Sequence, residues 1–369
     1  MAKKGVEVVV CGEVLCDLFS PRPGIALADA SHLVPRLGGA PANVAVQLAR
    51  LGVPTALVTA VGPDPFGERV RRQLAQEDVS LQAVRTIAGR RTGATLVDVD
   101  ADGERRFFGF REASADLALT VDDVDRPRVM AMIRNARVMH SGTVSLRTDN
   151  ARDATRFLQA AARRAKTIIS VDVNVRPGMY PDRALLLERV SGAVASADVL
   201  KATREEAALI LAKRRSTSLA RLAEGLLARG PRLVLLTDGD QPMAIATERH
   251  LVRRPALVVP TVDATGAGDA FFGAALATLI RWSVVVDDLP SLDEALLARV
   301  LQAGRFAGAA AVTRVGATTA MVRRLPRELF PRRGTSHSNM HRPQAEESGA
   351  AASSLVRRNG RSLAAGRTR

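Results

Sequence analysis

Short runs of aliphatic and β-branched residues recur along this chain, and most are followed by a stretch of ten or more residues with helical spacing. VEVVVCG (6–12) precedes ANVAVQLARLG (42–52), and TALVTAVG (55–62) precedes FGERVRRQLAQ (66–76). The rhythm continues through ARVMHSG (136–142), a helical pattern over about 152–164, TIISVDVNV (167–175), ADVLKAT (197–203) and RLVLLTDG (232–239). Apolar runs without a polar alternate are buried on both faces, and crossovers of this length join parallel strands. The pattern therefore predicts an α/β fold: a three-layer sandwich with a mostly parallel central sheet.

Two places break the rhythm. Residues 92–98 (TGATLVD) and 104–110 (ERRFFGF) flank the turn-forming DADG at 100–103, which reads as a β-hairpin and not a crossover. With residues 13–37 it is expected to form a small β-sheet lid on the main body. The second break begins at Pro331, after which large apolar residues nearly vanish and Ser, Arg, Gly and Ala dominate. Such a composition cannot bury enough surface to fold, so residues 1–330 are expected to be the folded domain and 331–369 a disordered basic tail.

Bulk properties exclude several classes. The chain carries 53 Lys and Arg against 38 Asp and Glu, a formal charge of +15, which invites a nucleic-acid reading. Arginine outnumbers lysine along the whole chain, as a GC-rich coding bias produces without any binding function. The tail alone holds eight arginines against Glu346 and Glu347, and no nucleic-acid motif accompanies the charge. Glu7, Glu13 and Asp17 interrupt the N-terminal apolar stretch, so it lacks the core of a signal peptide. No segment approaches the roughly 20 apolar residues of a membrane span. Cys11 and Cys16 have neither CxxC spacing nor further cysteines as partners, and the five histidines are not in ligand spacing, which fits buried thiols in a reducing cytoplasm without a transition-metal site.

The segment VDATGAGDAFFGAA (262–275) is the most informative for chemistry. Gly266 and Gly268 allow a tight turn and close approach of the backbone to a ligand, and a small-residue helix follows. The first amides of a helix lack partners and sit at its positive end, which makes Gly266, Ala267 and Gly268 an anion hole. An acid directly after it, Asp269, repels a resting phosphate but is well placed to take a proton from an attacking hydroxyl. An ordinary helix-start acid is the plain alternative. Upstream, GGAPANVA (38–45) makes a diglycine turn into a helix with proline in its first turn, and Asn43 offers a donor and an acceptor to a polyol.

These two segments resemble the N- and C-terminal signatures of the ribokinase-like (PfkB) carbohydrate kinase family, and the resemblance extends over residues 5–325. The second fits the form D-T-x-G-A-G-D, with Ala264 in a place where the family carries other residues. Weaker matches lie between: Gly12-Glu13 and Asp17, VGPDPFG at 61–67, the group Phe110, Arg111, Ala115 and Asp116, DVNVR at 172–176, KATREE at 201–206, TDG at 237–239, and the segment 305–317 with Gly308. The resemblance implies that Asp269 is the base, with Gly266, Ala267, Gly268 and Arg176 at the transferring phosphoryl. It implies sugar contacts from Asp17, Gly38, Gly39, Asn43, Arg111 and Asn174, nucleotide contacts from Lys201, Thr237 and Gly239 together with Gly266 and Gly268, and a water-mediated tie of Glu206 to magnesium. An exposed surface position is the alternative for Arg111, and a turn-capping role the alternative for Asp17.

The same resemblance implies ATP with Mg2+, potassium as an accessory ion, and a homodimer formed through the lid. Among substrates fructose ranks first, because GGAPANVA, HSGTVSL and DVNVRP resemble fructokinases, with 2-keto-3-deoxygluconate and ribose as alternatives. A non-enzymatic sugar-responsive protein on the same scaffold is a rival, discriminated by loss of the base that this sequence retains. A dinucleotide-binding dehydrogenase is excluded because EVLCDLF, and not GxGxxG, follows the first strand.

Overall fold

A computed structural model describes residues 5–22, 24–99 and 105–330. Within them the strands in chain order are β1 (Val8–Cys11), β2 (Leu15–Phe19), β3 (Val34–Gly38), β4 (Thr55–Val61), β5 (Val84–Thr86), β6 (Gly93–Val99), β7 (Arg105–Phe110), β8 (Val138–Gly142), β9 (Ile168–Asp172), β10 (Val199–Thr203), β11 (Leu233–Thr237), β12 (Met243–Ala246) and β13 (Leu251–Arg254). The main sheet has the order β13-β12-β11-β10-β9-β8-β1-β4-β5. Strands β11 through β5 in that order pair in parallel, and β12 and β13 add an antiparallel edge.

Alternate residues of each strand feed two cores. Val8 and Val10 point with Leu57, Val138 and Leu235 toward helices Ala40–Arg50, Pro65–Gln76, Ala267–Arg281 and Glu294–Ala311. Val9, Cys11, Val58, Met139 and Leu236 point the other way, toward helices Pro127–Asn135, Asp149–Arg164, Arg183–Ser196 and Leu219–Leu227. Three layers result, as the two-faced apolar runs predict. Helix Asp149–Arg164 begins earlier than the helical pattern expected, because Asp149 in its first turn favours the positive helix end.

The chain runs outward from β1 through β4 to β5, then resumes at β8 on the other side of β1 and runs outward to β11. The order reverses between β1 and β8. Crossovers diverge there and open a crevice above the carboxyl ends of the strands, where open α/β sheets bind ligands.

The lid is a four-stranded sheet of order β3-β2-β6-β7. β6 and β7 form the expected antiparallel hairpin, and β2 joins β6 in parallel. The turn between β6 and β7 and the basic tail from Pro331 both lie outside the described residues. No helix among the described residues is long and apolar enough to cross a membrane.

Candidate active site

The glycine-rich turn opens helix Ala267–Arg281 at the crevice. Gly266 is its N-cap at φ 78°, and a β-carbon there would stand 2.7 Å from the Ala317 carbonyl oxygen, so glycine is required on both counts. The turn is held from behind: Val262 N donates to the Val312 carbonyl at 2.8 Å, and Gly316 N donates to Asp263 Oδ2 at 2.7 Å. Asp263 Oδ1 accepts from Thr265 N and Oγ1 at 2.9 and 2.6 Å. No side chain caps the helix, but of the three amides expected to hold an anion, Ala267 N already donates to the Ala264 carbonyl at 3.3 Å.

Asp269 stands in the first turn of this helix, half-buried, with Oδ2 accepting a 2.8 Å hydrogen bond from Asn43 Nδ2. Its crowded, desolvated position raises its pKa above the ordinary carboxylate range, against the opposing pull of the Asn43 bond and Lys201. Lys201, on β10, lies beneath the turn: its Nζ donates to both oxygens of Asp172 at 3.0 and 3.1 Å, and a β-carbon on Gly268 would stand 2.8 Å from it. Burial works against the ammonium, but Asp172, Glu206 and Asp269 together hold its pKa above the usual lysine value. Burial also lifts Asp172 to about 6 despite Lys201 beside it.

The segment after β9 wraps this pair. Val173 N donates to the Lys201 carbonyl at 3.0 Å, and Asn174 adopts φ 37°, a left-handed conformation that asparagine tolerates better than most residues. Arg176 is exposed, its Nη1 donating to the Val175 carbonyl at 3.1 Å, and its charge is felt at Asp269. Glu206 Oε1 accepts from Val175 N at 2.7 Å, and Oε2 accepts from Thr203 N at 2.8 Å. It thus closes a capping box on helix Arg204–Ile210, and no group of three or more metal-ligating acids, histidines or cysteines occurs among the described residues.

The lid side of the crevice is built by close backbone approach. A β-carbon on Gly38 would lie 2.2 Å from Asp17 Oδ2, and one on Gly39, at φ 99°, would lie 2.5 Å from the Glu13 carbonyl oxygen. Asp17 is buried, and no described residue hydrogen-bonds its carboxyl. Burial pushes its pKa to about 7, with Arg111 pulling down and Asp263 and Asp269 pushing up. The exposed alternative for Arg111 is corrected: it is 5% exposed, and its Nη2 donates to Asp116 Oδ2 at 2.6 Å in a buried ion pair. Burial alone would lower the pKa of this guanidinium, but Asp116, Glu13 and Asp17 raise it.

The structure thus sets Gly38 against Asp17, Asn43 against Asp269 and Lys201 against Gly268 in the turn Gly266–Ala267–Gly268, with Arg176 and Asp17 in electrostatic reach of Asp269 and Arg111 in reach of Asp17, while Gly39 adjoins Gly38 and Asn174 lies in the segment that wraps Lys201. Thr237 ends β11 opposite Thr203, and Gly239 at φ 61° turns the chain there, at the strand ends beside Lys201. Glu13, Asp116, Asp172 and Asp263 carry much of the site's charge and were not among the expected site residues. All four sit within quoted motifs, and the signal was an acid at a strand end or turn where burial follows.

A doubly covered, mostly parallel sheet with an acid in the first turn of a helix at its strand ends suits transfer of a phosphoryl group to a hydroxyl. Comparison with known proteins gives the same class. A family described as pfkB family carbohydrate kinase matches residues 6–324. The chain is 33% identical over 314 residues to fructokinase-2 of Zea mays, covering 85% of this chain and 90% of that protein. The fructokinase of Xylella fastidiosa with bound ATP superposes with a TM-score of 0.76 at 29% identity, covering 86% and 96% of the two chains. A fructokinase of Vibrio cholerae O395 in a form with fructose, ADP and calcium gives 0.74 at 29% identity over 86% and 96%. This chain belongs to the PfkB family of carbohydrate kinases and is a sugar kinase.

Proposed function

We propose that this kinase transfers the γ-phosphoryl group of ATP to a primary hydroxyl of a small ketose, with fructose as its substrate. The observation that carries the reading is Asp269, set in the first turn beside the uncapped helix end, with a second acceptor, Asp17, on the lid side of the same crevice. Asp269 takes the proton of the hydroxyl as its oxygen bonds to phosphorus and the bond from phosphorus to the bridging oxygen breaks, giving a sugar phosphate and ADP. Amides of Gly266 and Gly268 and the Lys201 ammonium stabilise charge on the transferring group, with Ala267 N held by the Ala264 carbonyl, and Arg176 approaches from the exposed side. Asp17 and Asn174 accept sugar hydroxyls, and Thr237 and Gly239 border the nucleotide.

Magnesium, when bound with ATP, neutralises charge on the phosphates. Glu206 suits a water-mediated tie, its two oxygens being fixed in place by the Val175 and Thr203 amides. Potassium is the proposed accessory ion, as a Vibrio cholerae fructokinase structure contains it. A homodimer through the lid is supported by the edge strand β7, whose Phe107, Phe108 and Phe110 are 52%, 49% and 65% exposed. The proposed kinase domain spans residues 1–330, and the two free buried cysteines accord with a cytoplasmic setting. The test is a panel of fructose, ribose, 2-keto-3-deoxygluconate and other sugars with ATP and Mg2+, read by ADP release. Fructose is expected to give the highest kcat/KM, and a preference for another sugar would reassign the substrate.

A further inference from the structure

The hydrogen bond between Asn43 and Asp269 joins residues 226 positions apart, and the fold invests in it. Asn43 lies in the first turn of helix Ala40–Arg50, and Asp269 in the first turn of helix Ala267–Arg281. One turn further along each helix, Gln47 meets Gly273, where a β-carbon would stand 2.9 Å from both Cβ and Cγ of Gln47. Gly273 therefore permits the close crossing that brings the two first turns together. The orientation of the amide is fixed by chemistry: an ionised carboxylate has no proton to give, so only Nδ2 can face it. The other end of the amide, Oδ1, is buried with no partner, an orphaned acceptor tolerated for the sake of the bond that Nδ2 makes.

We infer that Asn43 is a positioning residue for Asp269: its Nδ2 occupies Oδ2 and turns Oδ1 toward the substrate as the oxygen that receives the hydroxyl proton. This rests on the kinase reading above and goes beyond a sugar contact for Asn43. Other charged groups face Asp269 from several elements: Lys201 on β10, Arg176 after β9, Glu13 after β1, Asp172 at the end of β9 and Asp17 on β2. None is altered by replacing Asn43, so a change in the titration of Asp269 reports on the Asn43 bond.

The experiment is the pH dependence of kcat at saturating sugar and MgATP for the parent, Asn43→Ala, Asn43→Asp and Gly273→Ala. A lost hydrogen bond to a charged acceptor moves the acid limb of Asn43→Ala up by about one pH unit, with kcat at neutral pH down roughly ten- to a hundredfold. Asn43→Asp sets two carboxyls side by side and moves the limb further up. Gly273→Ala, which touches neither substrate, moves it the same way by less and leaves the sugar KM unchanged. A parental acid limb in Asn43→Ala, with only the sugar KM raised, overturns the assignment and leaves Asn43 a sugar ligand. If the parent itself phosphorylates no sugar, the kinase reading has failed separately. The Asp269 carboxyl 13C titration, assigned with Asp269→Asn, then decides: an upward shift in Asn43→Ala supports the positioning role, and no shift overturns it.

Discussion

Asp17 is a carboxyl that folding largely buries with no hydrogen bond from a described residue, and the cost is measurable. Its pKa rises from 3.8 to about 7 in the folded protein. A group whose folded pKa lies above its unfolded value supports the fold at low pH and loses that support as pH rises through the folded pKa. The window therefore runs from about pH 4 to about pH 7. With 1.36 kcal/mol per unit, the burden on the fold is on the order of 4 kcal/mol at pH 8 and about 1.5 kcal/mol at pH 5. Asn has nearly the same shape and does not ionise, so Asp17→Asn is expected to gain roughly 3 kcal/mol more over the parent at pH 8 than at pH 5. For a domain of this size that is about 5 °C in the difference of melting temperatures. The assay is thermal unfolding of both proteins, free of ligand, at half-unit pH steps. The same variant should bind sugar more weakly, and in the parent sugar affinity should rise with pH as the acceptor ionises. An equal gap in melting temperature at pH 5 and pH 8, or a less stable Asp17→Asn at pH 8, would refute the reasoning.

Asp269→Asn preserves shape and removes the proton acceptor, so turnover should fall at least about 100-fold with little change in binding of either substrate; turnover within a few-fold of the parent would remove Asp269 as the base. Arg111→Ala leaves Asp116 buried without its cation and is expected to cost about 3–5 kcal/mol at pH 7 in denaturant unfolding, whereas Arg111→Met with Asp116→Leu recovers most of it. Equal loss in the single and double variants would mean that packing and not charge is at stake. Truncation after Phe330 should leave melting temperature and turnover nearly unchanged. That boundary keeps the hydrogen bond from Trp282 Nε1 to the Leu329 carbonyl and the stacking of Arg281 on Phe330.

The fold was legible because its strongest signals are local. A strand buried on both faces must be apolar throughout, so β1, β4 and β11 announce themselves in VVVC, TALVTAV and LVLLT. The hairpin was legible from its turn residues for the same reason. The tight turn into helix Ala267–Arg281 was legible because glycine is the residue that meets the steric demand at position 266. Partnerships across the sequence were not. Nothing local says that β2 pairs in parallel with β6, about 78 residues on, or that Arg111 turns inward to Asp116 in a chain whose surface is rich in arginine. Glu206 looks like any helix-start acid until the fold brings Val175 N to its second oxygen.

The acids of the crevice differ in how many of their oxygens already hold a hydrogen bond. Arg111 faces Asp116, Glu13 and Asp17, and Lys201 faces Asp172, Glu206 and Asp269, so each cation serves three carboxyls. Asp172 spends both oxygens on Lys201, and Glu206 spends both on backbone amides. Glu13 accepts from Ser145 Oγ, and Asp116 holds Arg111 with one oxygen while the other is sealed from solvent. Among the described residues, Asp17 accepts no hydrogen bond and Asp269 accepts only that of Asn43. Most buried polar groups in folded proteins find a partner, and an unspent acceptor facing a crevice is open to donors from outside. On the function proposed above, a polyol would answer that demand with hydroxyls, one held at Asp17 and another deprotonated at Asp269, beside the helix end proposed to receive the phosphoryl group.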